Sequence, residues 1–159
     1  MNATHIHLMM THLPVIGTFA GLGLLVFGLA RRSQELKKTA FGMLAIAALL
    51  AVPVYLSGEP AEDIVERIPG VSHSNIEQHE EAAALAFTAV LAVGAIALTG
   101  LIWRRKQPIP GWMLSVTLAG SIVSAGMIAW TANLGGKVRH TEILSNYTAL
   151  SDRNEQHRE

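Results

Sequence analysis

The stretch AAALAFTAVLAVGAIALTGLIW, Ala82–Trp103, decides the fold. It runs 22 residues without a charged side chain. As a helix rising about 1.5 Å per residue it reaches about 33 Å, enough to cross a hydrocarbon core of about 30 Å. Charge bounds it on both sides, with Glu80 and Glu81 before it and Arg104, Arg105 and Lys106 after it. Three more stretches share the character: Leu13–Ala30, Ala40–Ser57 and Trp112–Leu134. The whole chain agrees, since half of its 159 residues are hydrophobic, 15% are charged and the mean hydropathy is +0.35. Soluble domains carry nearer a quarter charged. The expectation is an all-α integral membrane four-helix bundle, up-down-up-down, over residues 1–140, with a polar C-terminal tail over 141–159. The composition argues against a disordered chain, a nucleic-acid binder with a basic face and an ordinary soluble enzyme. The absence of cysteine excludes a disulfide framework, a thiolate metal site and covalently attached haem.

Loop charge sets an expected orientation. Arg31, Arg32, Lys37 and Lys38 follow the first span, and Arg104, Arg105 and Lys106 follow the third. Both groups fall on one side, which the positive-inside rule assigns to the cytoplasm. Both termini and the acidic loop Gly58–Glu81 then face outward. Trp103 and Trp112 fall at the inner interface, Tyr55 and Trp130 near the outer one, where amphipathic rings prefer to sit. No Lys or Arg precedes the first span and no small-residue cleavage site follows it, so it reads as a membrane helix and not a signal peptide. Gly17 and Gly21 form a GxxxG pair suited to close helix packing, and Pro53 is placed to kink the second span.

The acidic loop carries local signals of its own. Pro60 opens a short helix expected to run to Ile68, with Ile64, Val65 and Ile68 as an apolar side that suits a membrane surface. Ser74-Asn75-Ile76-Glu77 reads as a capping box, so the third helix starts a turn or two before the membrane. After the fourth span, Gly135-Gly136 is expected to end the helix.

The histidines carry the chemistry. His12 directly precedes span one, His79 lies three residues before span three, and His140 lies six residues after span four. Three helix ends thus offer an imidazole at similar depth. In the expected bundle, spans one and three are diagonal neighbours, so His12 and His79 could face each other across the axis and hold a b-type haem through both axial positions. His7 and His140 are the alternative ligands. Arg67 and Arg139, with Lys137, are candidates for the haem propionates, and Gly17, Gly21 and the alanines of span three are candidates for leaving the macrocycle room.

A second metal reading comes from His5-Ile6-His7-Leu8-Met9-Met10-Thr11-His12. On a helix, His5, Met9 and His12 share one face, and imidazole with thioether suits copper; His7 completes the set, with zinc as the other candidate ion. Enzymatic readings are weaker. His79-Glu80-Glu81-Ala82-Ala83 lacks the second histidine of a zinc-protease motif, no nucleophile has a visible base, and no glycine-rich phosphate loop occurs. The spans hold no ionisable group, against a pump or ion transporter. A non-catalytic electron-transfer or binding subunit fits best, with a cofactor-free structural subunit of a larger membrane complex, or a homo-oligomer, as the remaining class.

The chain resembles a bacterial family of four-span membrane proteins catalogued as domain of unknown function 2231. The resemblance rests on His7-(x4)-His12-x-Pro14, on His79 at the opening of span three, on Gly135-Gly136-Lys137-Val138-Arg139-His140, and on Ser57-Gly58-Glu59-Pro60-Ala61-Glu62. The last part of the third motif is shorter here than the family pattern. The resemblance implies a bacterial inner-membrane location. It also implies electron transfer with a c-type cytochrome or Rieske-type partner, because some members are joined to such domains; that association supplies no mechanism.

Overall fold

A computed structural model describes residues 3–67 and 73–139, apart from the side chains of residues 3, 4, 6 and 139. It is all-helical over the described residues. The helices are α1 (Ala3–Ala30), α2 (Gln34–Leu56), the short α3 (Gly58–Val65), α4 (His73–Trp103) and α5 (Gly111–Arg139). Four of them, α1, α2, α4 and α5, are long and apolar enough to cross a membrane. The tail 141–159 and His140 lie outside the described residues.

The packing order follows the chain. α2 packs against α1 on one side and α4 on the other, α5 packs against α4, and a lighter contact joins α5 to α1. Small residues set the close approaches. A Cβ added at Gly17 would lie 2.9 Å from the Ala47 Cβ, and one at Gly21 would lie 2.9 Å from the Leu44 side chain. The GxxxG pair is therefore spent on the α1–α2 contact, and the room expected there for a macrocycle is occupied by α2. Gly94 serves the α2–α4 contact, where an added Cβ would collide with Ala48. One apolar cluster centres on Leu25, Phe41, Ala97 and Met113, a second on Ala51, Ala86, Val90 and Ile128.

The ends of the bundle differ in chemistry. At the basic end, α1 stops in two hydrogen bonds, Ser33 N–H to the Gly28 carbonyl (3.1 Å) and Arg32 N–H to the Leu29 carbonyl (3.1 Å), with Arg32 at φ 52°. This is the left-handed helix stop that usually employs glycine. Ser33 then caps α2 by accepting from Leu36 N–H at 3.3 Å. Lys38 Nζ donates to the Arg105 carbonyl at 3.2 Å, which ties the two basic turns together. Trp103 and Trp112 are exposed at helix ends and Trp130 is exposed along α5, and Tyr55 stacks on Phe87 with ring centroids 4.3 Å apart.

Three local expectations are corrected. Gly135-Gly136 does not stop α5, which continues to Arg139. α3 starts at Gly58 and ends at Val65, short of Ile68, and buries Ala61 while Ile64 is exposed. α4 begins at His73, so Ser74 lies inside its first turn and its Oγ accepts from the Gln78 side-chain amide at 3.2 Å.

Candidate functional site

Each histidine at this end has a direction set by its helix. His7 and His12 are five residues apart on α1, about 140° around the helix. When His7 turns inward, His12 therefore turns out. His7 is half-buried against the end of α2; its Nδ1–H donates to the Val54 carbonyl (3.1 Å) and to Ser57 Oγ (3.0 Å). Ser57 Oγ itself donates to the Val54 carbonyl at 2.9 Å. Val54 lies in the last turn of α2, where its carbonyl takes the Ser57 N–H at 3.2 Å in a tightened turn and has no i+4 helical amide, so it can also accept the imidazole N–H.

His79 is half-buried on α4, and its Nδ1–H donates across to the Thr131 carbonyl of α5 at 3.0 Å. Its ring lies over Gly135, where an added Cβ would sit 3.1 Å from Cε1. The glycine there lets the ring lie against α5 without being displaced by a few tenths of an ångström. His7 has a similar neighbour in Gly58, where an added Cβ would be 3.8 Å from Cε1. Both imidazoles sit toward the end of the bundle that carries α3. One bonds α1 to α2 and the other α4 to α5.

This geometry fixes a chemical state. A carbonyl oxygen can only accept, so Nδ1 carries the proton on both rings. In the neutral imidazole the lone pair is then on Nε2. Metal-ligating histidines are commonly oriented this way, with the second nitrogen bonded to a carbonyl.

His12 is exposed, and its Nδ1–H donates to the Leu8 carbonyl of its own helix at 3.0 Å. At this end the structure turns His7 and His79 inward and leaves His12 exposed. His5, Met9 and His12 share an exposed face of α1, as their spacing expects, while His7 is turned away from that set. Arg67 is exposed in the turn after α3. The Arg139 side chain and His140 lie outside the described residues. Among the described residues no group of three or more His, Asp or Glu side chains is placed to hold a metal ion.

The electrostatics of this end are acidic. Glu59, Glu62, Asp63 and Glu66 on and after α3, with Glu80 on α4, line an open groove. Partial burial, and then the nearby Glu80 and Glu66 carboxylates, push the Glu62 carboxyl above its usual range, with His73 acting in the opposite sense. His73 donates to Glu66 at 2.8 Å, linking the first residue of α4 to the end of α3.

Sequence reasoning identified both imidazoles but missed their partners, Val54, Ser57 and Thr131. Backbone carbonyls leave no trace in residue identity. Ser57-Gly58 and Gly135 were visible as motifs, and they now flank His7 and His79 respectively.

A family model described as "Predicted membrane protein (DUF2231)" matches residues 3–144, and the four apolar helices fit a four-span protein. No curated protein and no solved structure matches the chain. The segments that touch the two inward imidazoles all fall inside the matched region, and the chain belongs to this family of predicted membrane proteins.

Proposed function

We propose that this chain is a b-type haem protein of the bacterial cytoplasmic membrane, acting in electron transfer, with His7 and His79 as the axial ligands. The observation that carries this reading is the pair of half-buried imidazoles at one end of the bundle, each anchored through Nδ1 on a backbone carbonyl. Two protein nitrogens suffice for a haem, because the porphyrin supplies the other four. A lone copper or zinc ion draws three or four donors from the protein. The haem iron would supply one-electron chemistry. The chain would fix both ligand rings, keep Nε2 unprotonated and limit water at the site. His7 takes the place first expected for His12, because His12 turns outward on its helix. A c-type cytochrome or Rieske-type protein is the class of redox partner proposed.

The proposed arrangement is up-down-up-down, with the histidine end and both termini on the periplasmic side. The two tied basic turns support a cytoplasmic assignment for the other end.

The test is the visible spectrum of the detergent-purified protein, air-oxidised and then dithionite-reduced. A sharpened α-band with near-stoichiometric haem is expected, lost in His7→Ala and His79→Ala and kept in His12→Ala. A flat spectrum from cells supplied with haem sinks the reading. A second reading, copper or zinc on the exposed His5–Met9–His12 face, is favoured by the His12 Nδ1 bond to Leu8, which leaves its lone pair on Nε2. Metal content that survives His12→Ala overturns that one.

A further inference from the structure

The interior of the bundle is not apolar from end to end. One apolar cluster, with Leu25, Phe41 and Met113, fills it toward the basic turns; another, with Ala51, Ala86 and Ile128, fills it toward the histidines. Between them lie hydroxyls. Thr18 on α1 is 1% exposed, and Thr117, Ser121 and Ser124 on α5 are 0% exposed. The α5 positions fall four and then three residues apart, one stripe on the inward face.

The close contacts place Thr18 and Ser121 at similar depth, with Thr117 and Ser124 about one turn to either side of Ser121. Gly17 meets Ala47, Gly94 meets Ala48, and Gly120 meets Val93, so one layer runs through α1, α2, α4 and α5. Thr18 and Ser121 are the next residues along α1 and α5 from that layer.

Ser121 donates to the Thr117 carbonyl at 2.7 Å. The hydroxyls of Thr18, Thr117 and Ser124 are buried without a protein partner. On the other two long helices the usual solution is visible: Thr39 on α2 and Thr88 and Thr99 on α4, on exposed faces, turn back onto the carbonyls of Glu35, Ala84 and Ala95. The buried three do not turn back on Pro14, Met113 and Gly120, the carbonyls available to them by the same spacing. An apolar interior penalises an unpaired hydroxyl, and a buried water with two to four partners is the common remedy.

We infer that the bundle binds a small cluster of water molecules at mid-depth, held by Thr18, Thr117 and Ser124 and closed off on both sides by apolar side chains. The inference is independent of the haem reading. The layer is a site for water and not a passage, because Leu25, Phe41 and Met113 seal one side and the second cluster the other.

Water-edited solid-state NMR of the full chain in lipid bilayers tests it. Magnetisation should pass from water to the Cβ atoms of Thr18, Thr117 and Ser124 and not to those of Val90 and Ala97, which are buried among apolar groups. In the double variant Thr18→Val, Ser124→Ala, the transfer to Thr117 should be lost. Absence of transfer in the unaltered protein overturns the inference, because the hydroxyls have then found carbonyls. Transfer to Thr117 that survives the double variant also overturns it, since the water is then held by other groups.

Discussion

Arg32 occupies a backbone conformation that suits glycine. Its φ of 52° completes the stop of α1, and a side chain there costs about 1 kcal/mol. Arg32→Gly is expected to raise stability by about that amount, measured by thermal unfolding in detergent, whereas Arg32→Ala should not. Gly135 illustrates the opposite case, a glycine that only a neighbour explains. An added methyl would press on the His79 ring, while one at Gly136 meets nothing within 4 Å. Gly135→Ala should therefore shift the His79 ring resonances and lower haem retention in the proposed site, with Gly136→Ala leaving both unchanged. From sequence, the glycine pair looked like a helix stop. Its actual service, letting a ring lie against α5, depends on an α4 residue 56 positions away in the chain, beyond the reach of local pattern.

α3 is the polar element of the histidine end, and its acids work against its docking. Because the Glu62 carboxyl is raised, the charged form is disfavoured in the folded protein. Above that raised value the charge opposes α3; as pH falls through it, Glu62 takes up a proton and the penalty disappears. Hydrogen-exchange protection of residues 58–65, corrected for intrinsic rates, should therefore increase as the pH is lowered from neutrality toward the ordinary glutamate range. Glu62→Gln should show the higher protection already at neutrality, with a weaker pH dependence. Solvent screening keeps the effect small, since the groove is open. The four long helices were legible because twenty uncharged residues have few other uses. α3 was legible in existence but not in extent, and the direction of His7 was not legible at all. Which side of α1 turns inward is decided by α2, through the glycine face that meets Ala47 and Leu44.

The whole molecule has one chemical polarity, basic turns at one end and carboxylates with imidazoles at the other. The chain has no cysteine, so single introduced thiols report sidedness cleanly. In intact spheroplasts, an impermeant maleimide should label Glu77→Cys, and should label Gln107→Cys only after the membrane is opened. The reverse pattern would invert the proposed orientation. Neighbours in sequence are also neighbours in space, from α1 to α2, α2 to α4 and α4 to α5, while the first and last long helices touch lightly. A bundle connected this way can assemble in the order of its synthesis, each new helix settling against the one already present. The α1–α5 edge must wait for the last helix. It works as a clasp, and the moment it shuts is the moment at which the hydroxyls of Thr18 and Ser124 pass from facing lipid to facing the inside of the bundle.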